Sequence, residues 1–248
     1  MQVLEKTNTL TVRKSADRGH ANHGWLDSYH SFSFSNYYDP AHMQYSVLRV
    51  INEDVVAPAK GFGMHGHNDM EIITYMLKGA LQHKDSMGNG SVIKAGDVQR
   101  MTAGTGVRHS EFNASDKHCA HLLQIWLLPD RNNITPSYEE KHFDEASKKN
   151  QWRLVASSDA REGSVLVHQD IDLYATLLDK DTTLTYAPRV GRSLYLQIAS
   201  GEVRLNELTL SAGDAVMIDV AEDAPIEIVS HTDAEILLFD LPAAEKFN

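Results

Sequence analysis

The chain has 248 residues, 42% hydrophobic and 23% charged, with 34 acidic against 23 basic side chains and a formal net charge of −11 at pH 7. That apolar content supplies a substantial core and excludes disorder as the dominant state. The acidic balance repels phosphate backbones and argues against direct nucleic-acid binding.

In chain order, Met1 to Lys14 holds no apolar stretch of signal-peptide kind. Strand-like runs rich in Val, Ile, Leu, Thr and Tyr then follow at 45–52, 70–78, 80–85, 97–101 and 121–128. Between two of them, Asp85-Ser-Met-Gly-Asn-Gly90 has the composition of a turn. Residues 135–151 read differently: they are Pro- and charge-rich, and Ser137-Tyr-Glu-Glu140 has the form of a capping box. A one- or two-turn helix in a linker is expected there, with a domain boundary near residue 135. Further strands are expected at 153–156, 165–169, 173–178, 193–199, 203–205, 214–218, 226–229 and 236–240. Short strands with turn signals this frequent predict an all-β chain of sandwiches or barrels, with one domain over 1–135 and a second over 136–248.

The halves share a pattern. Gly79 precedes a strand and Ala95-Gly96-Asp97 turns into the next; Gly201 and Ala212-Gly213-Asp214 repeat this later. Two tandem copies of one β unit explain it.

The single cysteine, Cys119, allows no intrachain disulfide and fits a reducing compartment. No run of 18 apolar residues occurs, so a cytoplasmic protein with no membrane partner is expected. Histidine is the unusual component: of 13, only His142, His168 and His231 lie beyond residue 121.

Two short patterns carry chemistry, His65-Gly66-His67 and His109-Ser110-Glu111. On a strand, residues i and i+2 point to one face, so each pair projects together. Brought inward from neighbouring strands, the pairs would converge as three imidazoles and a carboxylate, a set that suits a divalent transition metal with open positions. Without a thiolate, a closed structural zinc site is disfavoured. Spacing alone leaves two readings open, metal ligands or ordinary surface and core histidines. His20, His23, His30, His42 and His83 lack such pairing and read as solvated or internally satisfied. His118 and His121, flanking Cys119, read as structural, and Trp126 as core. There is no G-x-S-x-G, no P-loop and no G-x-G-x-x-G opening a helix, so neither a serine nucleophile nor nucleotide chemistry is indicated.

The segments Gly61-Phe-Gly-Met-His-Gly-His-Asn-Asp-Met-Glu-Ile-Ile-Thr-Tyr-Met-Leu-Lys-Gly79 and Gly96-Asp-Val-Gln-Arg-Met-Thr-Ala-Gly-Thr-Gly-Val-Arg-His-Ser-Glu111 resemble the two metal motifs of the pirin family, a branch of the cupin superfamily. His23-Gly-Trp-Leu26, Ser31-Phe-Ser-Phe34 and Tyr37-Tyr-Asp-Pro40 are similar to its amino-terminal signature, and His168-Gln-Asp170 with Leu173-Tyr174 to the start of its second cupin. The nearest form is the shorter bacterial pirins that act as flavonol dioxygenases. The resemblance implies a bicupin of two tandem antiparallel, jelly-roll-like barrels joined by a short helical linker, with a metal only in the first. It implies His65, His67, His109 and Glu111 as ligands of one divalent ion, Fe(II) foremost and Mn, Co, Ni, Cu or Zn as alternatives. Gly66 stands where a proline is frequent, which should loosen a turn; Arg100 stands where many relatives have tryptophan, which should alter the pocket wall.

The function implied is opening of the heterocyclic ring of a flavonol such as quercetin by O₂, with release of carbon monoxide. Glu111 is then both ligand and general base for the 3-hydroxyl. Phe62, Met64, Met70, Met101, Val107 and Phe112 are candidates to grip a flat aromatic substrate, with core packing the simpler reading of each. The alternative is a metal- or redox-sensing pirin-type protein without its own turnover, which docks on a regulatory partner that the sequence does not name. Another cupin reaction on the same ligands is the third option.

Overall fold

The computed structural model describes residues 7–244, so the first six residues of the segment read for a leader lie outside it. Strands dominate. They run β1 (Thr9–Arg13), β2 (Gly19–Asn22), β3 (Leu26–His30), β4 (Leu48–Val56), β5 (Gly61–His67), β6 (Glu71–Lys78), β7 (Ala80–Asp85) and β8 (Gly90–Lys94). Next come β9 (Asp97–Thr102), β10 (Val107–Asn113), β11 (Ala120–Leu127), β12 (Ser137–His142), the single helical turn α1 (Glu145–Lys148), β13 (Arg153–Ser157) and β14 (Val165–Leu166). The remainder is β15 (Asp172–Leu178), β16 (Thr183–Tyr186), β17 (Ser193–Ser200), β18 (Glu202–Leu205), β19 (Leu208–Ser211), β20 (Ala215–Asp219), β21 (Ile226–Ser230) and β22 (Ala234–Leu241). Among the described residues no helix is long and apolar enough to cross a membrane.

The described chain divides into two compact units, and the division is discontinuous. One holds Arg18–Asp144 and Val155–Asp170; the other holds the amino-terminal stretch up to Asp17, Glu145–Leu154 and the chain from Ile171 onward. A single cut near residue 135 does not describe this, because β1 pairs antiparallel with β20, Thr9 facing Asp219 and Arg13 facing Ala215. Local sequence carries no signal for such a distant partner. The capping-box expectation also fails in place: Ser137–His142 is β12, bonded to β9 with Ser137 opposite Thr102 and Glu140 opposite Gln99. The helix that does form is the turn Glu145–Lys148.

Each unit is a two-sheet barrel, and the sheets repeat the same topology. The larger sheets run β12-β9-β6-β11-β4-β3-β2 and β1-β20-β17-β22-β15-β13-β14, alike over their first five strands; the smaller run β5-β10-β7-β8 and β16-β21-β18-β19. The expected glycine repeat is real in detail. Gly96 N–H donates to Met76 O and Gly213 N–H to Ile198 O, each acceptor three residues before Gly79 or Gly201. Asp97 Oδ2 accepts from Lys94 N–H and Asp214 Oδ2 from Ser211 N–H, the same i−3 closure twice.

Gly79 and Gly201 themselves turn in the left-handed region, with φ of 78° and 82°. A Cβ on Gly79 would stand 2.8 Å from Cys119 O, and one on Gly201 2.3 Å from Asp233 O. Backbone strain and backbone crowding therefore add. Alanine at either site is expected to destabilise its barrel by about 1–3 kcal/mol, measured as a lowered urea midpoint with unchanged m-value. A midpoint left in place in both variants would show that the turns relax freely.

Candidate metal centre

β5 and β10 are neighbours in the smaller sheet of the first unit, with His109 opposite His65 and Val107 opposite His67. The register then slips so that Glu111 faces Phe62, a bulge that re-aims the strand beside the histidines. Alternation along β10 sends Val107, His109, Glu111 and Asn113 inward. His65, His67 and His109 come together: their ring centroids are 4.4–4.9 Å apart, and one nitrogen from each lies within 4.8 Å of the others. His67 Nε2 is 3.0 Å from His109 Nε2. His65 Nδ1–H donates to Gly63 O at 2.8 Å, which leaves its Nε2 as the lone-pair nitrogen.

Glu111 belongs to an adjoining group with His83 and His109, again within 4.8 Å. Its Oε1 accepts from Thr74 Oγ1 at 3.4 Å. His109 is thus common to both groups. His83 was expected to be internally satisfied, and in part it is: fully buried, its Nε2 sits 3.1 Å from Asp85 Oδ2. Its Nδ1 and that of His109 are buried without a hydrogen-bond partner.

Electrostatics prepare the set as neutral ligands. Burial, reinforced by the charges of His65, His67 and His83, drives His109 down to about 2. Burial and His65 bring His67 down to about 4. Both rings are therefore neutral at pH 7, with nitrogen lone pairs available to a cation. Burial pushes Glu111 up to about 7, the charge of Asp54 adds to this, and hydrogen bonds with Thr74 and Gln124 oppose it.

A cavity of about 730 Å³ reaches His65, His67 and Glu111. Trp25, Phe34, Tyr37, Phe62 and Trp126 give it aromatic walls. Trp126, expected in the core, instead presents its ring edge-on to His67 at 4.9 Å, and Phe34 stands against Trp126 at 5.4 Å. Of the six apolar candidates for the pocket only Phe62 lines it. Met101 and Val107 are core residues with Met70 packed on them, while Met64 and Phe112 are 50% and 39% exposed. Arg100 is not in the wall either. It lies on the other face of β9, donating to Thr102 Oγ1 and Ser137 Oγ and paired with Glu139. Gly66 is a strand residue opposite Arg108, so there is no turn for it to loosen.

A polar row that runs from the cavity lining (His30, Asn52 and Gln124) into the barrel was not foreseen. It crosses five strands of the larger sheet, His30–Asn52–Gln124–Thr74–Gln99, each residue opposite the next and all buried. Aligned through the glycine turns, the second unit has Tyr174–Leu238–Leu196–Val216 at the last four positions. Likewise His65, His83, His109 and Glu111 correspond to Tyr186, Leu205, Ile226 and Ile228, which pack in that barrel's hydrocarbon core. One topology thus appears once with an apolar interior and once with a polar one. Buried polar groups are costly unless paired, so the first interior is built for a use other than stability.

Comparisons with known proteins match the two halves of the chain to separate family models. The Pirin family model matches residues 11–127, and a model described as the quercetinase C-terminal cupin domain matches 154–241. A protein named quercetin 2,3-dioxygenase from Escherichia coli K12 is 49% identical over 233 residues, covering 94% of this chain and 99% of its own length. A pirin-like protein from Caulobacter vibrioides is 40% identical, covering 92% and 98%. The crystal structure of a bacterial pirin from Escherichia coli in complex with nickel(II) superposes with a TM-score of 0.89 at 47% identity, over 95% of this chain and 100% of that one.

Proposed function

This chain belongs to the pirin family of cupin proteins, and from that premise we propose that it is a metal-dependent dioxygenase that opens the heterocyclic ring of a flavonol such as quercetin with O₂ and releases carbon monoxide. The observation that carries the reading is the aromatic-walled cavity ending at His65, His67 and Glu111. Its volume, about 730 Å³, suits a small aromatic ligand.

In this reading His65, His67, His109 and Glu111 hold one divalent ion, Fe(II) foremost, with Mn, Co, Ni, Cu or Zn as alternative occupants. The donor set fits: three imidazoles and a carboxylate, with His109 Nδ1 and His83 Nδ1 buried and unpartnered beside it among the described residues. When bound, the ion would acidify a coordinated hydroxyl and bring substrate and O₂ together. The chain supplies the rest. Trp25, Phe34, Phe62 and Trp126 hold a flat ring system and exclude water. The Glu111 carboxylate, at the end of the cavity, is placed to take the 3-hydroxyl proton. The quercetin 2,3-dioxygenase name of the Escherichia coli relative and the nickel complex of its bacterial pirin support the assignment.

The test is anaerobic reconstitution of the purified protein with Fe, Mn, Co, Ni or Cu, followed by quercetin and O₂. Loss of flavonol absorbance with matching evolution of carbon monoxide is expected for at least one metal. No turnover with any of the five would overturn the reading.

A further inference from the structure

The wall of this cavity formed by β3 and β4 carries polar groups that the proposed chemistry leaves unused. Ser28, His30, Asn52 and Asp54 all line it, and all are more than nine-tenths buried. They face each other in register, Ser28 opposite Asp54 and His30 opposite Asn52. Ser28 Oγ–H donates to Asp54 Oδ1. His30 Nδ1 lies 2.8 Å from Asn52 Oδ1 and donates to it. Each pair leaves an acceptor over: Asp54 Oδ2 and His30 Nε2 have no protein partner among the described residues, and neither is sealed from the cavity.

The chemistry of those two atoms is specific. With Nδ1 carrying the proton, neutral His30 presents a lone pair at Nε2. Burial lowers its pKa and keeps it neutral. Asp54 Oδ2 is an acceptor whenever the carboxyl is ionised, which burial delays to about pH 6. The wall therefore offers two hydrogen-bond acceptors, flanking the amide of Asn52, whose Oδ1 is already taken by His30. Tyr37 stacks against His30 at 6.4 Å and Phe34 lies tilted against it at 5.4 Å, so aromatic rings flank this wall.

We propose that Asp54 and His30 form a hydroxyl-recognition subsite, distinct from the histidine and glutamate group, which accepts hydrogen bonds from ring hydroxyls of the substrate and so selects polyhydroxylated over unsubstituted flavonols. The inference rests on the flavonol reading above and names the part of the substrate that reading leaves undefined. Removing an acceptor strands a desolvated hydroxyl on the ligand, whereas a ligand without ring hydroxyls loses nothing at this wall.

The experiment measures binding, not turnover. Dissociation constants of the metal-loaded protein for quercetin and for 3-hydroxyflavone, which keeps the 3-hydroxyl but lacks the hydroxyls on the two benzene rings, are taken anaerobically from quenching of tryptophan fluorescence. The parent is expected to prefer quercetin by roughly tenfold or more, the equivalent of one good hydrogen bond to a charged group. In Asp54→Asn and in His30→Phe this ratio is expected to fall several-fold toward one. Because the ratio is internal to each variant, a general loss of fold or affinity does not imitate the result. A ratio unchanged in both variants, or no preference in the parent, overturns the subsite while leaving the dioxygenase reading intact. A parent that binds neither compound overturns both.

Discussion

A His109→Ile protein is expected to take up no divalent metal and to lose dioxygenase activity, yet to unfold at no lower urea concentration than the metal-free parent. His109 is the one imidazole shared by both ligand groups, so its removal leaves His65 and His67 without a third nitrogen and Glu111 without its link to them. Isoleucine is the residue that the second barrel places at the corresponding position, Ile226, in the same antiparallel setting. Strands accept a β-branched side chain readily. The imidazole it replaces is only 1% exposed and has an unpartnered Nδ1, so exchanging it for hydrocarbon is expected to be neutral within about 1 kcal/mol or stabilising. The sign of the pH effect adds a second readout. An unfolded histidine titrates near its ordinary value of 6.5, whereas folded His109 stays neutral down to about 2. The unfolded chain therefore binds more protons below pH 6.5, and the parent loses stability as pH falls through that range. The variant loses one histidine's share of that slope. Elemental analysis after anaerobic reconstitution and urea unfolding at pH 7 and 5 check both halves. A full complement of metal in the variant would remove His109 from the ligand set.

What could be read from the sequence, and what could not, follows from this same contrast between the barrels. Core strands such as β6 and β11 announce themselves by apolar runs, and the glycine–aspartate turns of both barrels are visible as words in the sequence. The i, i+2 histidine and glutamate pairs were visible too, because a ligand pair on a strand needs that spacing. The strands that bear them, β5 and β10, were legible only through their ligands: Gly-Phe-Gly-Met-His-Gly-His has no apolar alternation, since the inward positions hold polar groups. For the same reason the polar row went unnoticed. Asn52, Thr74 and Gln124 sit inside otherwise apolar strands, where a polar residue reads as facing water; only the register across five strands reveals that they share one buried face. The β12 segment misled in the opposite direction, because Ser-Tyr-Glu-Glu satisfies a local helix rule and only pairing with β9 decides against it. Discontinuity of the second unit depends on a β1–β20 pairing that no local pattern encodes.

The second large effect concerns Glu111→Gln, which is expected to retain metal while turnover falls by about 10²–10⁴-fold, the range for loss of a positioned general base. The amide keeps the shape of the side chain, so Thr74 and the neighbouring β7 are undisturbed. It cannot accept a proton, and it cannot carry charge. That second difference gives a signature independent of activity. In the metal-free parent the Glu111 carboxyl titrates at about 7, whereas His67 and His109 are already deprotonated there. For the carboxylate to join a cation it must first release that proton, so metal affinity is expected to weaken as pH falls through about 7, with up to one proton released per ion bound at pH 6. In the variant this step should vanish, leaving affinity lower at pH 8 and nearly flat down to pH 6. Titration calorimetry in buffers of different ionisation enthalpy measures the proton directly. Turnover untouched by the substitution would remove Glu111 as the base, and a pH step that survives it would assign the proton to another group. Asp54 is the nearest rival, since it too is lifted by burial, to about 6, and its charge is what raises Glu111 further. The two carboxyls are separated by experiment because loss of Glu111 should abolish the pH step and the turnover together, whereas loss of Asp54 should only move the step to lower pH while changing which flavonol is preferred.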